Sequence, residues 1–113
     1  MEIRTIKEKI REEELRDIAQ KNYGEMVKAV VDIEKEIMVL GGEFHSDANE
    51  VLIKEGSEQK NIWGINIYPY KKREDWIEFI SLINIRPADN NLDMEIKSKE
   101  VKEKIKKIVE KLT

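Results

Sequence analysis

The chain has 113 residues, with 21 Lys and Arg against 24 Asp and Glu, a single His and no Cys, and this length suits one domain with its own core. The absence of Cys excludes a disulfide scaffold, a Cys-ligated zinc site and a thiol nucleophile. No apolar run approaches the roughly 20 residues of a membrane span, and the net charge of −3 argues against a protein that coats nucleic acid.

The charges are concentrated at the two ends of the chain. Residues 1–25 carry 13 charges and residues 93–113 carry 12, whereas residues 76–88 carry two. Charged ends with periodic apolar positions are typical of solvated amphipathic helices, and the charge-poor centre indicates a sheet. The Lys- and Glu-rich ends are also typical of heat-adapted proteins.

Two helices are predicted at these ends. The first covers residues 11–23 and stops at Gly24. The segment before it, residues 2–10, is predicted as an extended lead-in that would add an edge strand, although a helix also fits its isoleucines. The last helix covers residues 98–112, with Ser98 as its N-cap and apolar residues every three or four positions.

A first hairpin is predicted from two apolar runs joined by a short charged turn. Its strands cover residues 26–34 and 37–44, with alternating side chains on the first strand. The register that gathers the apolar residues on one face places Val31 opposite Leu40 and Ile33 opposite Met38.

A second hairpin is predicted from residues 62–69 and 76–86, which are separated by a polar loop. An even register makes one face almost wholly apolar, with Ile67 opposite Phe79, and places Tyr68 opposite Glu78 on the other face. An odd register would bury polar groups without partners, which costs roughly 1–3 kcal/mol for each group.

A short helix over residues 47–56 is predicted between the hairpins, because Asp47 and Glu50 have the spacing of a capping box. Strands and helices without a regular βαβ alternation favour a single α+β domain. We therefore expect a four-stranded antiparallel sheet of two hairpins with three helices.

The sheet face opposite the predicted core carries both polar and apolar residues. Its polar residues are Asp32, Glu43, His45, Asn66, Tyr68, Glu78, Asn84 and Arg86. Its apolar residues are Val30, Leu40, Trp76, Ile80 and Leu82. A solvated face rarely carries this much apolar surface. We therefore expect a helix, a partner subunit or a ligand to cover it.

The most suggestive chemical pattern is Glu-x-His-x-Asp, formed by Glu43, His45 and Asp47 after two glycines. In a continuous strand the three side chains would point the same way and could share a hard metal or a proton, with His45 as the base or ligand and Glu43 as its partner. The alternative is structural: Asp47 caps a helix, Glu43 pairs with Lys28, and His45 packs at a corner of the sheet. The absence of a second His favours this alternative.

Five further residues are candidates for ligand binding on the same face. They are Asn66, Tyr68, Glu78, Asn84 and Arg86. Two of them, Asn66 and Asn84, sit in matching Ile-Asn-Ile-x-Pro segments. A charge or an amide in an apolar strand needs a hydrogen-bonding or charged partner. An arginine can bind a carboxylate or another anion through two parallel hydrogen bonds. No phosphate-binding loop or serine-nucleophile motif is present.

Three segments give the chain a family resemblance. They are Gly-Gly-Glu-x-His at 41–45, Trp-Gly-Ile-Asn-Ile-Tyr-Pro at 63–69 and Ile-Asn-Ile-Arg-Pro at 83–87. With them the chain resembles, from about Leu15 to Leu112, a family of short prokaryotic proteins known as a domain of unknown function. The resemblance implies a stand-alone cytoplasmic protein and assigns no substrate, cofactor or catalytic residue.

These observations lead to two functional hypotheses. The first is a non-enzymatic binding or interaction module that forms a homodimer and covers the second sheet face with its partner. The second is a small enzyme or metal-binding protein with its site at Glu43 and His45. We expect no cofactor, no membrane partner and no nucleic-acid partner. Because the N-terminus lacks the apolar core of a secretory signal, we expect a cytoplasmic protein.

Overall fold

The computed structural model describes residues 2–113, which form one antiparallel sheet of five strands with three helices. The strands are β1 (Ile3–Ile6), β2 (Val27–Asp32), β3 (Ile37–Gly41), β4 (Ile62–Ile67) and β5 (Ile77–Glu78). The helices are α1 (Glu12–Lys21), α2 (His45–Lys54) and α3 (Lys99–Leu112). The predicted α+β class is confirmed, and the lead-in supplies the fifth strand.

The strand order is β1-β3-β2-β4-β5, and every neighbouring pair is antiparallel. The hairpin of β2 and β3 therefore lies inside the sheet, between β1 and β4. Its residues are almost all buried, because a central strand is covered on both faces and paired along both edges. The edges of the sheet are formed by β1 and by the two-residue strand β5.

The first face of the sheet carries the main core, where α1 and α3 pack. Leu15 and Ile18 of α1 and Ile105 and Ile108 of α3 lie in one cluster with the odd-numbered residues of β2 and β4. The hydroxyl of Ser98 accepts a hydrogen bond from the backbone N–H of Val101 at 3.2 Å, so the predicted N-cap of α3 is present.

The second face of the sheet is covered by α2 of the same chain. Val30, Val39 and Ile62 of the sheet form a separate cluster with Ala48 and Leu52 of that helix. Of the three covers that the sequence allows for this face, a helix is therefore the one observed.

Leu40 and Trp76, which the sequence placed on this second face, lie instead in the main core.

The predicted register of the first hairpin is wrong by two residues. Val31 lies opposite Met38, and Asp32 lies opposite Ile37. The cause is the Asp32 carboxylate, which accepts hydrogen bonds from the N–H groups of residues 34 and 35 at 2.9 Å each. The turn therefore begins directly after Asp32, and Glu36 adopts a left-handed conformation (φ 56°) within it. The side chains of β2 keep their predicted faces, because a shift of two residues leaves each side chain on its own side of the sheet.

The strand β3 and the helix α2 meet earlier than predicted. The strand ends at Gly41, so the predicted continuation to residue 44 is wrong, and α2 begins at His45 rather than at residue 47. Asp47 is the third helical residue, not the cap, and its Oδ2 accepts the backbone N–H of Phe44 at 3.1 Å. Glycines at 41 and 42 both have positive φ angles, which turn the chain out of the sheet.

The second predicted hairpin is also corrected. Asn66 lies opposite Glu78, two residues from the predicted register, and β5 ends at Glu78. The rest of the predicted strand, to residue 86, belongs to an irregular ribbon of residues 79–96. In the ribbon, Ile96 N–H donates to the Phe79 carbonyl at 3.0 Å and Ser81 N–H donates to the Met94 carbonyl at 3.1 Å.

Within residues 2–113, none of the helices combines the length and the apolar character needed to cross a bilayer.

Candidate functional site

A cavity of about 420 Å³ opens between the start of α2 and the ribbon, on the second face of the sheet. We call it the α2 cavity. Its apolar walls are formed by Phe44, Ile80, Leu82, Ile83 and Met94. Its polar lining consists of Lys28, His45, Ser46 and Ser81. Mainly apolar walls with a few converging polar groups, in this range of volumes, are typical of small-molecule sites.

His45 lies at the inner side of this cavity and is 8% exposed. Its Nε2 is 2.7 Å from the carbonyl oxygen of Ile65. Because a carbonyl only accepts, Nε2 must carry the hydrogen, and the neutral ring then leaves Nδ1 as an acceptor. Burial lowers the pKa of His45, the charge of Lys28 lowers it further, and the bond to Ile65 opposes them. His45 is therefore neutral at pH 7.

Three of the predicted ligand-binding residues form a polar cluster beside the cavity. The amide nitrogen of Asn66 donates to Glu78 Oε1 at 2.7 Å, and the hydroxyl of Tyr68 donates to the same oxygen at 3.3 Å. Burial and the charge of Glu78 raise the pKa of Tyr68, which keeps the phenol protonated as a donor. The amide oxygen of Asn66 is buried without a hydrogen-bond partner among residues 2–113.

Lys28 brings the one formal positive charge to the α2 cavity. It lies opposite Asn66 in the sheet, and its Nζ is 5.4 Å from the centroid of the Tyr23 ring. Tyr23 in turn donates its hydroxyl to the backbone carbonyl of Glu43. No ion pair joins Lys28 to an acidic side chain within residues 2–113, so the pairing with Glu43 that the structural alternative requires is not formed.

The Glu43, His45 and Asp47 pattern does not gather in space. Because α2 begins at His45, the three residues follow a turn and a helix rather than one strand. The described part of the chain contains no group of three His, Cys, Asp or Glu side chains placed to hold a metal ion. Asp47 instead fixes the start of α2 through its bond to Phe44.

Asn84 lies away from the polar cluster and is fully buried. Its amide oxygen accepts the N–H of Gly64 at 2.8 Å, and its amide nitrogen donates to the Gly64 carbonyl at 2.9 Å and to the Met94 carbonyl at 3.1 Å. One side chain thus satisfies both backbone groups of a residue in β4. This geometry is structural, because every polar atom of the amide is used inside the chain.

Arg86 also points away from the α2 cavity. Its guanidinium carbon lies 4.0 Å from the centroid of the Trp63 ring, and its Nη1 donates to the Lys60 carbonyl at 3.1 Å. Asp89 is 3.9 Å from the same nitrogen. Burial lowers the pKa of Arg86, but a guanidinium stays charged at neutral pH. The structure therefore separates Arg86 from His45.

Sequence reasoning named Ile80 and Leu82 on this face but missed Phe44 and Met94. Phe44, Leu82 and Met94 line the cavity and are all exposed, although an alternating pattern assigns no function to them. A usable signal was the pair of large apolar residues Leu92 and Met94 in an otherwise polar stretch.

We expect His45 to make the protein less stable in mild acid. The unfolded chain takes up a proton near pH 6.5, the ordinary histidine value, whereas the folded chain takes it up only at lower pH. The contribution of His45 to the free energy of unfolding is thus fully present above about pH 6.5. It falls by up to about 1.4 kcal/mol per pH unit as the pH drops toward the pKa of His45 in the folded chain.

Urea unfolding between pH 7.5 and 5 measures this effect, with His45→Gln as the control because glutamine keeps an N–H donor but does not titrate. The difference between the wild-type and His45→Gln stabilities should shrink as the pH falls. Parallel curves would contradict the assignment.

The comparisons with known proteins give one match. No curated protein and no solved structure is significantly similar to the chain. The family model described as "Protein of unknown function (DUF5674)" matches residues 4–112. This range includes every strand and helix except the first residue of β1. The chain therefore belongs to the DUF5674 family of proteins of unknown function.

Proposed function

We propose that the protein is a non-enzymatic interaction module that self-associates as a homodimer. The interface is an exposed surface of the ribbon that we call the apolar ridge. Its members are Leu82, Ile85, Leu92 and Met94. The ridge borders the α2 cavity, and Leu82 and Met94 belong to both.

The observation that supports this proposal is the exposure of the two leucines of the ridge. Leu82 is 72% exposed and Leu92 is 70% exposed, and Ile85 and Met94 are exposed beside them on the same ribbon. Single exposed apolar residues are ordinary, but a group of large ones marks an interaction surface. Burying a leucine from water contributes roughly 1.5–3 kcal/mol.

A second copy of the chain fits this surface because an apolar ridge can pack against its own counterpart. A two-fold symmetric interface uses the same patch on both subunits and therefore needs a patch that complements itself. Here the exposed leucines of one copy, Leu82 and Leu92, can pack against the same two residues of the other, and the α2 cavity stays open beside the interface. The second sheet face, by contrast, needs no partner, because α2 already covers it.

We expect Leu92→Glu to convert the dimer to a monomer, because the interface would have to bury a carboxylate. Light scattering after size exclusion at micromolar concentration should give twice the 13.3 kDa chain mass for the wild type and a single chain mass for the variant. Ile53→Glu is the matched control, since Ile53 is an exposed aliphatic residue on α2 outside the ridge, and it should remain dimeric.

A monomeric wild type in this experiment would overturn self-association. If Leu92→Glu remains dimeric, the interface does not lie on the apolar ridge.

The alternative function, a small enzyme or metal site at Glu43 and His45, has less support. His45 is neutral and held by Ile65, as an acid–base group would need. Glu43, its intended partner, is exposed and contacts Tyr23 through its backbone carbonyl rather than its carboxylate.

We propose the cytoplasm as the compartment, and we exclude nucleic acid from the proposed partners. A chain without Cys cannot form the disulfides that stabilise many proteins of oxidising compartments. The net charge of −3 provides no basic surplus for phosphate backbones. Glu12 forms ion pairs with both Arg16 and Arg73. Such networks support the proposal of a heat-adapted prokaryotic protein, because the desolvation cost of ion pairs falls as the temperature rises.

A further inference from the structure

The charge of the α2 cavity differs from that of the rest of the molecule. The chain as a whole has a net charge of −3, yet Lys28 is the one formally charged side chain that lines this cavity. The remaining lining is either apolar or consists of neutral hydroxyl and imidazole groups. The cavity therefore carries a single positive charge beside apolar walls.

This positive charge has no counter-ion within residues 2–113. The fourteen ion pairs within residues 2–113 do not include Lys28, and its Nζ lies over the face of the Tyr23 ring, 5.4 Å from the centroid. The side chain is half-buried. A lysine that is partly removed from water without a carboxylate partner pays a desolvation cost that an anionic ligand would offset.

We propose that the α2 cavity binds an amphipathic organic monoanion, with its carboxylate at the Lys28 ammonium and its hydrocarbon body against the apolar walls. One lysine supplies one charge, which matches a carboxylate. A phosphate, with two charges and several acceptor oxygens, is bound in proteins by paired arginines or by lysine together with backbone N–H groups. The volume of about 420 Å³ accommodates a medium-chain carboxylic acid.

The apolar walls of the cavity contact the hydrocarbon part of the ligand. Among the lining residues, Phe44, Leu82 and Met94 are exposed, whereas Ile80 and Ile83 are half-buried. A hydrocarbon chain gains roughly 0.8 kcal/mol for each buried CH₂ group. The walls therefore supply most of the affinity, and Lys28 selects an acid over its neutral analogue.

The ligand proposal does not depend on self-association, because one chain supplies every residue of the cavity. Leu92 does not line the cavity, so Leu92→Glu provides a monomer with an intact site. If the wild type is monomeric and still binds the acid, self-association is contradicted and the ligand proposal is supported.

Calorimetric titration with octanoate and with octan-1-ol tests the proposal on the full chain. We expect saturable binding of octanoate and weaker binding of octan-1-ol. Lys28→Gln should weaken octanoate binding by roughly five- to tenfold and leave octan-1-ol unchanged, as expected for one partly screened ion pair. Lys54→Gln, at the exposed far end of α2, is the control and should bind like the wild type.

Three results would overturn the proposal. These are equal affinities of the wild type for the acid and the alcohol, octanoate binding that Lys28→Gln does not weaken, and no saturable binding of either compound. Circular dichroism melts of each variant separate a lost contact from a lost fold. The same titration on Leu92→Glu should reproduce the wild-type affinity, and a loss of binding there would contradict a site built by one chain.

Discussion

Asn84→Ala is expected to lower the free energy of unfolding by about 3–5 kcal/mol. The substitution removes the hydrogen bonds to the N–H and the carbonyl of Gly64, at 2.8 and 2.9 Å, together with the bond to the Met94 carbonyl. The N–H and the carbonyl of Gly64 lose their partner in a buried place, whereas the Met94 carbonyl keeps its hydrogen bond from the Ser81 N–H. An unsatisfied buried backbone group costs about 1–3 kcal/mol, so two of them account for most of the effect.

Urea denaturation of the purified variant measures this change. Asn49→Ala is the control, because Asn49 exchanges two hydrogen bonds with the exposed side chain of Gln59, where water can replace the lost partner. We expect the control to change stability by less than about 1 kcal/mol. A loss no larger for Asn84→Ala than for Asn49→Ala would show that β4 does not depend on the Asn84 amide.

Gly64→Ala is expected to destabilise the fold by about 1–3 kcal/mol or more. A Cβ at this position would lie 2.5 Å from the Ser81 Cβ, 2.6 Å from its Oγ and 3.0 Å from the Ile83 Cγ1. The closest atom, the Ser81 Cβ, is fixed by the backbone, so no side-chain rotation relieves the clash. The ribbon would have to move off β4, and the Asn84 hydrogen bonds would lengthen.

A second substitution tests whether Ser81 is the obstacle. Ser81→Gly removes the two closest atoms and should recover part of the stability lost in Gly64→Ala, so the double variant should be more stable than the sum of the two single changes predicts. Thermal unfolding followed by circular dichroism gives all four values. Strict additivity of the two changes would contradict a direct contact at this site.

The helices and the faces of the strands were predictable because they follow from periodicity. Leu15 and Ile18, or Ile105 and Ile108, repeat at helical spacing and identify the buried side without any tertiary information. The same holds for alternation in β2. The register of a hairpin depends on where its turn begins, and that was decided by one carboxylate, Asp32, bonding to the backbone of the turn.

The ribbon was not predictable from its residue pattern. Ile80 and Leu82 to Ile85 resemble a buried strand, but the chain does not continue the ladder with β4 beyond Glu78. The side chain of Asn84 takes the role of the missing strand by bonding to both backbone groups of Gly64. Strand propensity predicts pairing between two backbones, but here the side chain of Asn84 pairs with the backbone of β4.

Of the polar residues that line the α2 cavity, the sequence singled out only His45 as a candidate site residue. His45, Asn66, Tyr68 and Glu78 were placed on one face by alternation, and the structure brings the last three into one hydrogen-bonded cluster. The charged residue that lines the cavity is Lys28, which the sequence had assigned to an ion pair with Glu43. Distances across a sheet depend on register, so the register error carried over to the site.

The strand order also has a consequence for how the protein folds. β2 and β3 are joined by a four-residue turn and can pair early at little cost in loop closure, whereas β1 must wait for β3, because it has no other neighbour in the sheet. The ribbon depends on hydrogen bonds from Asn84 to Gly64 and Met94, which form only after β4 is in place. We therefore expect the cavity and the ridge to form last, and hydrogen exchange should show this part of the chain opening while the central sheet stays closed.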